Sequence, residues 1–409
     1  MYDTLRQNDN EKEYAILRLG AITHLGDCQA QLGSELFSVF GGIPGELVKV
    51  RMFRYRRNKK NVISGMVCEI IEASQNRTYP ECAYFGSCSG CQWQHISYPH
   101  QLELKRQIIL DAFSLYGLLE EVPVLSVISS NKEFKYRNHA RFSVKFEGKM
   151  GFSNRITRRF VKIDECLIMD NRINQTLSLL QNKVSETTSM SVRVGVNTND
   201  ILIQPKFLSS DISIETGQKF YLEKLYGKEF RVASPSFFQV NIAQAEKLIE
   251  IIKSELQFLG CEVLVDAYAG VGTFAISLSS EVSKVIAIEE SASAIEDAKF
   301  AARNISNVEF VLGKTENVLN SIENDIDILI LDPSRKGCHP DTIEAILEKL
   351  PTTIVYVSCD PVTLARDLNI LVENEYARKN VHPVDMFPQT YHVECVVVMN
   401  RIYDVENNF

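Results

Sequence analysis

The alternation of strand and helix patterns from about residue 235 onward constrains the fold more than any other feature of the chain. EVLVDAYA, KVIAIEE, VEFVLGK, IDILILD, TIVYVSCD and ECVVVMN are short apolar runs, of the kind expected from strands covered on both faces. Helical stretches such as AQAEKLIEIIKSEL and SAIEDAKFAARNI lie between them. The expected fold class is therefore α/β, with a doubly wound, Rossmann-like sheet at this end of the chain. Ligands of such sheets sit at the carboxyl ends of the strands, so the residues that end these runs are the ones to examine.

A chain of 409 residues is too long for one ordinary core, and the pattern upstream is different. Residues 13–73 read as five or so short strands (YAILRLG, CQAQL, LVKVRMFRYR, VISGMVCEIIEA) with turns at HLGD, GGIPGE and RNKKN, which suggests a small OB-like barrel. SYPHQLELKRQIILDAFSLYGL (97–118) has helical spacing, with Leu104, Ile108, Leu110 or Asp111, and Leu115 on one face. Residues from about 122 to 215 return to strand-like runs, giving a mostly antiparallel second unit. The expected division is residues 1–74, 75–233 and 234–409.

The net charge of −8 argues against indiscriminate nucleic-acid binding, but binding depends on the local patch. RMFRYRRNKKN (51–61) holds six Lys/Arg in eleven residues, among them Arg54, Arg56 and Arg57. MYDTLRQNDNEKEY is unlike a secretory signal, and no apolar run approaches the roughly 18 residues that span a bilayer. The expectation is a cytoplasmic protein with no membrane contact, monomeric by default, whose cysteines are reduced thiols or metal ligands.

VLVDAYAGVGTFAISL (263–278) is a strand ending in Asp266, then a turn with Gly270 and Gly272, then a helix start. Glu289 ends the next strand roughly 20 residues on, where an acidic side chain can take both ribose hydroxyls of an adenosine. These elements fit NAD and S-adenosylmethionine (SAM) alike. Three later strand ends carry Asp332, Cys359 and Glu394. Together a thiol and a separate carboxylate suit methylation of uracil at C5. That carbon becomes nucleophilic once a thiolate adds at C6, and a base must then remove the C5 proton.

DPSRKG, YVSCDPVTLARDL and HVEC resemble the three signatures of the RNA 5-methyluridine methyltransferases, and SPSFFQVN (234–241) resembles a fourth. The resemblance extends over essentially the whole chain. It implies that Cys359 is the nucleophile and Glu394 the proton acceptor. It implies SAM contacts for Gln239, Tyr268, Glu289 and Asp332, alongside Gly270 and Thr273, and a loop near the target base shaped by Arg335 and Gly337. Ser334, Asp360 and Cys395 depart from the usual proline, asparagine and threonine, which bears on rate or substrate choice more than on reaction type.

Cys82, Cys88 and Cys91 lie within ten positions, and Cys166 is the candidate fourth ligand. Four thiolates suit zinc or a [4Fe–4S] cluster, and spacing does not choose between them. The iron–sulfur members of the family share this pattern, so the resemblance implies [4Fe–4S]. Methyl transfer from SAM is a polar reaction that needs no redox centre, so the expected role is structural, with redox sensing the alternative, and Trp93, Gln94 and His95 beside it are expected to face RNA. It also implies that the barrel is a TRAM domain whose basic strip meets phosphates, and that Arg137 and Arg141 contact RNA. The implied substrate is 23S ribosomal RNA, with a transfer RNA uridine as the alternative. An RNA-binding protein with a vestigial methyltransferase domain is the reading from another class.

Overall fold

The computed structural model describes residues 13–57, 60–118, 123–155, 157–374 and 376–402. Strands β1 (Tyr14–Arg18), β2 (Cys28–Leu32), β3 (Glu35–Phe40), β4 (Leu47–Arg57) and β5 (Lys60–Glu72) form a barrel-like sheet in the order β1-β4-β5-β3-β2. Helix α1 (Tyr98–Ser114) follows. A second, wholly antiparallel sheet has the order β10-β9-β6-β7-β8. It is built from β6 (His139–Lys145), β7 (Lys149–Ser153), β8 (Phe160–Lys162), β9 (Ser189–Val194) and β10 (Ile201–Gln204), with α2 (Asn171–Leu180) between β8 and β9. A hairpin of β11 (Phe220–Leu225) and β12 (Lys228–Ala233) comes next.

The strand–helix alternation gives α3 (Ile242–Glu255), β13 (Val263–Asp266), α4 (Thr273–Leu278), β14 (Lys284–Glu289), α5 (Ala292–Ala301) and β15 (Val308–Leu312). It continues through α6 (Thr315–Val318), β16 (Ile328–Leu331), α7 (Pro340–Lys349), β17 (Thr353–Ser358), α8 (Pro361–Glu373), β18 (Tyr376–Val384) and β19 (Glu394–Arg401). The sheet order is β15-β14-β13-β16-β17-β19-β18. The strands from β13 to β17 pair in parallel, and β19 runs against both its neighbours. The strand order reverses between β13 and β16, which is where a doubly wound sheet opens its ligand crevice. The seventh strand, β18, has no counterpart among the six runs read from the sequence. Its Arg-Lys-Asn stretch interrupts the apolar pattern, and its register shifts between Arg378 and Val381.

Alternate residues of the parallel strands feed two cores. Leu264, Ile328, Ile330, Val355 and Val357 pack with α3, α4 and the β11–β12 hairpin on one face. Val265, Leu329, Leu331, Ile354 and Tyr356 pack with α7 and α8 on the other. Helix α1 joins this second core through Ile109, Ala112 and Phe113, and the barrel's core through Leu104 and Ile108. Its inner face differs from the one expected. Lys105 is fully buried, whereas Leu115 lies beyond the helix end and is 71% exposed. A lysine can hold a core position because its ammonium group meets the equally buried Asp385.

Candidate active site

Asp360 caps α8, its Oδ1 accepting from the backbone N–H of Val362 at 3.0 Å and of Thr363 at 3.1 Å, and Pro361 starts the helix. The half-buried Cys359 is left at the junction of β17 and α8. Ser358 pairs with Cys395 across the antiparallel strands, so Cys359 and Glu394 occupy adjoining strand ends. Asp332 follows β16 on the other side of β17. Glu394 and Asp332 lie near enough for their charges to act on Cys359, and Asp332 near enough to act on Glu394. Burial pushes the Cys359 thiol up to about 12, with the charges of Glu394 and Asp332 adding to it and Arg335 opposing. Burial, then Asp332, holds Glu394 well above the usual carboxylate range, again against Arg335. Asp332 is raised to about 7 by burial and by Asp266.

At the cofactor end, Asp266 is fully buried at the end of β13. Its Oδ2 accepts from the Ala275 N–H at 2.9 Å, and its Oδ1 has no partner among the described residues. Gly270 and Gly272 have φ of 55° and 86°, a region that strains other residues. A Cβ on Gly272 would also strike Ile276, whereas one on Gly270 would meet nothing within 4 Å. Glu289 is tied to this turn. Its Oε2 accepts from the Gly270 N–H and its Oε1 from the Ser291 N–H, both at 2.8 Å. Each oxygen keeps a second lone pair for a ligand hydroxyl. Tyr268 is half-buried with its hydroxyl 3.4 Å from Thr342 Oγ1, and Thr273 is the buried first residue of α4. Gly337 (φ 76°) turns the loop after Asp332, and a Cβ there would strike Arg366 and Asp367.

A cavity of about 480 Å³ brings the cysteine set together with two of the expected RNA-contact arginines and one of the expected SAM contacts. Cys82, Cys88, Cys91 and Cys166 line it, as do Arg137, Arg141 and Gln239. Arg335 and His392 line this cavity and also a second one, of about 80 Å³, that contains Cys359. They stand between the cysteine side and the nucleophile, with Arg335 Nη2 3.4 Å from His392 Nε2. Burial and the Arg335 charge push His392 down to about 3, so its imidazole is neutral. Sequence reasoning gave His392 no role. The signal was its place in HVEC, two residues before Glu394.

Cys91 is raised to about 12 by burial and then by the three other cysteines, Cys166 first among them. Among the described residues, no group of three or more His, Cys, Asp or Glu side chains is arranged to hold a metal ion. Trp93, Gln94 and His95 do not face outward as expected: each is 5% exposed or less. Trp93 Nε1 donates to Gly26 O at 2.8 Å, Gln94 Oε1 accepts from the Cys82 N–H at 3.1 Å, and His95 Nε2 lies 3.1 Å from Gly42 O. These bonds tie the cysteine loop to itself and to the barrel. Of the barrel arginines, Arg56 is exposed, and Arg54 is bound by Glu13 and Glu35. The Arg57 side chain lies outside the described residues.

Residues 214–402 match the family model for tRNA (uracil-5-)-methyltransferase. An uncharacterized RNA methyltransferase of Synechocystis is 31% identical, over 94% of this chain and 95% of its own length. One from Clostridium tetani is 33% identical, over 90% and 92%. The chain belongs to the RNA (uracil-5-)-methyltransferase family. Its fold is that of the Pyrococcus abyssi tRNA (uracil-54, C5)-methyltransferase, solved with S-adenosyl-L-homocysteine. The two superpose with a TM-score of 0.73 at 24% identity, covering 94% of this chain and 99% of the other. Within this RNA methyltransferase, no helix among the described residues is long and apolar enough to cross a membrane.

Proposed function

We propose that this chain methylates C5 of a uridine in RNA with SAM as methyl donor. The observation that carries the reading is the placing of Cys359 and Glu394 on adjoining strand ends, with Asp332 beside them, in a member of this family. The Cys359 thiolate adds to C6, forming a C–S bond and moving an electron pair onto the ring. C5 then attacks the sulfonium methyl carbon, and the S–CH3 bond breaks with its electron pair left on sulfur, so S-adenosylhomocysteine departs. Glu394 accepts the C5 proton, and the pair left behind restores the C5–C6 double bond as the C–S bond breaks. Arg335 supports the thiolate electrostatically, as does the α8 N-terminus.

Bound SAM supplies a methyl group on a positively charged sulfur. The residues at the sheet opening fit it. Glu289 keeps acceptor capacity for a ribose, Gly270 leaves room at the strand end, and Asp266 Oδ1 is a buried acceptor without a partner. Tyr268, Thr273 and Asp332 surround that opening, with Gln239 on the cavity side.

Cys82, Cys88, Cys91 and Cys166 are proposed to hold a [4Fe–4S] cluster. The four line one cavity, and together they would supply the four thiolates that such a cluster takes. Methyl transfer is a two-electron polar reaction, and the cluster's part is structural. The barrel is read as a TRAM domain. RNA contacts are assigned to Arg137, Arg141 and Arg56. Arg54 chiefly holds strand β4 to Glu13 and Glu35.

The favoured substrate is 23S ribosomal RNA, on the strength of the cysteine set and the barrel. A transfer RNA is the second reading, favoured by the names of the family model and of the Pyrococcus enzyme. The test is to incubate anaerobically purified protein with labelled SAM and each unmodified RNA, then digest to nucleosides. Label in 5-methyluridine from one RNA supports the reaction and picks the substrate. Label in neither, with SAM bound and the cysteine site loaded, sinks the enzyme reading.

A further inference from the structure

The small cavity around Cys359 is closed in part by the N-terminal barrel. His24 and Leu25, from the turn between β1 and β2, line it together with Cys359, Arg335, Tyr391 and His392. The backbone of this turn is fixed on several sides. Thr23 and Asp27 close it, with Thr23 N–H donating to Asp27 O at 2.7 Å and Gly26 N–H to Thr23 O at 2.9 Å. Gly26 sits against Tyr391 so closely that a Cβ would lie 2.4 Å from the Tyr391 Cβ, and its carbonyl accepts from buried Trp93. The Asp27 carboxylate takes two bonds from Arg155, at 2.9 and 2.8 Å, and Arg155 in turn lies over the Phe40 ring. Barrel, cysteine loop, central sheet and the strand end before Glu394 all meet here.

At the tip of this rigid turn the two side chains are left uncovered. Leu25 is 49% exposed and His24 is exposed. An exposed leucine and imidazole beside a nucleophile have a specific use when the substrate is a base turned out of a strand. The neighbouring bases are unstacked, and an apolar side chain and a flat ring can cover them.

Resting on the function proposed above, we infer that the 23–27 turn is part of the substrate pocket. His24 and Leu25 contact the nucleotides that flank the target uridine and so help to select it. The barrel then does more than hold phosphates at a distance, since its turn completes the wall beside Cys359.

The test uses the full-length, metal-loaded protein and the double variant His24→Ala/Leu25→Ala. Both side chains are at the surface, so the variant should fold and bind SAM as the native protein does. The substrate is the RNA that the native enzyme labels, together with a pool randomised at the positions flanking the uridine. Losing base contacts is expected to lower kcat/KM by about 5- to 100-fold, mainly through KM. The flanking-sequence preference should flatten, which a merely structural role would not cause. Unchanged kcat/KM and unchanged preference overturn the inference while leaving the methyltransferase reading intact. Ultraviolet cross-linking of native protein to ribosomal and transfer RNA gives a readout independent of methylation. A nucleotide adduct on the peptide containing His24 and Leu25 supports the pocket even without turnover. A protein that binds neither RNA overturns both readings.

Discussion

Cys359 and Glu394 stand one residue beyond the paired Ser358 and Cys395, on strands that run in opposite directions. A parallel neighbour would have placed its own carboxyl end there. The antiparallel β19 instead brings the beginning of a strand to the carboxyl end of β17, so a residue that starts one run faces a residue that ends another.

The two groups act at different stages, so their variants should fail differently. Cys359→Ala is expected to give neither methylated product nor any protein–RNA adduct. Glu394→Gln should form the adduct and hold it, because the C5 proton has no acceptor and the thiolate cannot leave. Its turnover should fall by about 10²- to 10⁴-fold. Denaturing gels of variant, RNA and SAM will show a slow-migrating band for Glu394→Gln alone; a band with Cys359→Ala would remove this thiol as the nucleophile.

The pH dependence follows from the same cavity. Cys359 is raised to about 12 and Glu394 well above its ordinary value, both first by burial, and each must lose its proton to act. The single-turnover rate should therefore climb from neutral into mildly alkaline pH. Removing the Arg335 charge in Arg335→Gln raises the thiol further, so the climb shifts to higher pH and the rate at fixed pH drops. Glu394→Gln removes a negative charge only where Glu394 is ionised, so it should lower the thiol and speed adduct formation at alkaline pH and change it little at neutral pH. Rapid-quench measurements of adduct against pH decide the signs.

Glu289 joins the glycine turn to the next strand through the Gly270 N–H. Substitution by Gln removes the charge that would accept ribose hydroxyls and weakens that link. Charge-assisted hydrogen bonds contribute about 1.5–3 kcal/mol, so the SAM dissociation constant should rise about 10- to 100-fold. Titration calorimetry without RNA isolates this effect, and an unchanged constant would move the ribose elsewhere.

The parallel strands were legible because Val, Ile and Leu runs such as VIAI and ILIL have few other places to go in a folded chain. The strand-end residues were legible because chemistry collects there. What joins the units was not. Lys105 and Asp385 are 280 residues apart, and nothing in a helical run with a lysine announces that the lysine is buried. Trp93 and His95 looked like a surface for RNA and are instead anchors between the cysteine loop and the barrel. Local periodicity records which side of an element is apolar; it does not record which distant loop will supply a partner for a buried charge.

The Lys105–Asp385 pair should show this in stability. Both side chains are fully buried, Lys105 also donates to Phe387 O at 3.1 Å, and Tyr98 donates to the second Asp385 oxygen at 2.9 Å. Removing one partner leaves a buried charge uncompensated, at a cost of about 3–5 kcal/mol. Lys105→Met should lose that much in urea denaturation. Lys247→Met, which breaks the exposed pair with Glu250, should lose less than about 1 kcal/mol. Equal losses would mean that the buried pair is not a special support for the segment before Glu394.

The cysteine loop reaches the same segment by its backbone. Gln92 and Trp93, immediately after Cys91, both donate to Gln389 O at 3.1 Å, and Tyr136 donates to Pro388 O at 3.0 Å. Gln101 exchanges two further bonds with Gln389, which has a left-handed φ of 68°. A cluster on Cys82, Cys88, Cys91 and Cys166 would fix this loop, and through Gln389 the strand end that carries His392 and Glu394. Replacing Cys91 by Ser, or stripping iron with a chelator, should lower iron and sulfide content and the melting temperature together. Amide exchange should quicken at residues 385–393 more than in the parallel strands. RNA methylation should fall in step, while SAM binding at the other end of the sheet changes little. Iron loss that leaves melting, exchange and RNA binding as they were would show that the cysteines do not hold the catalytic loop in place.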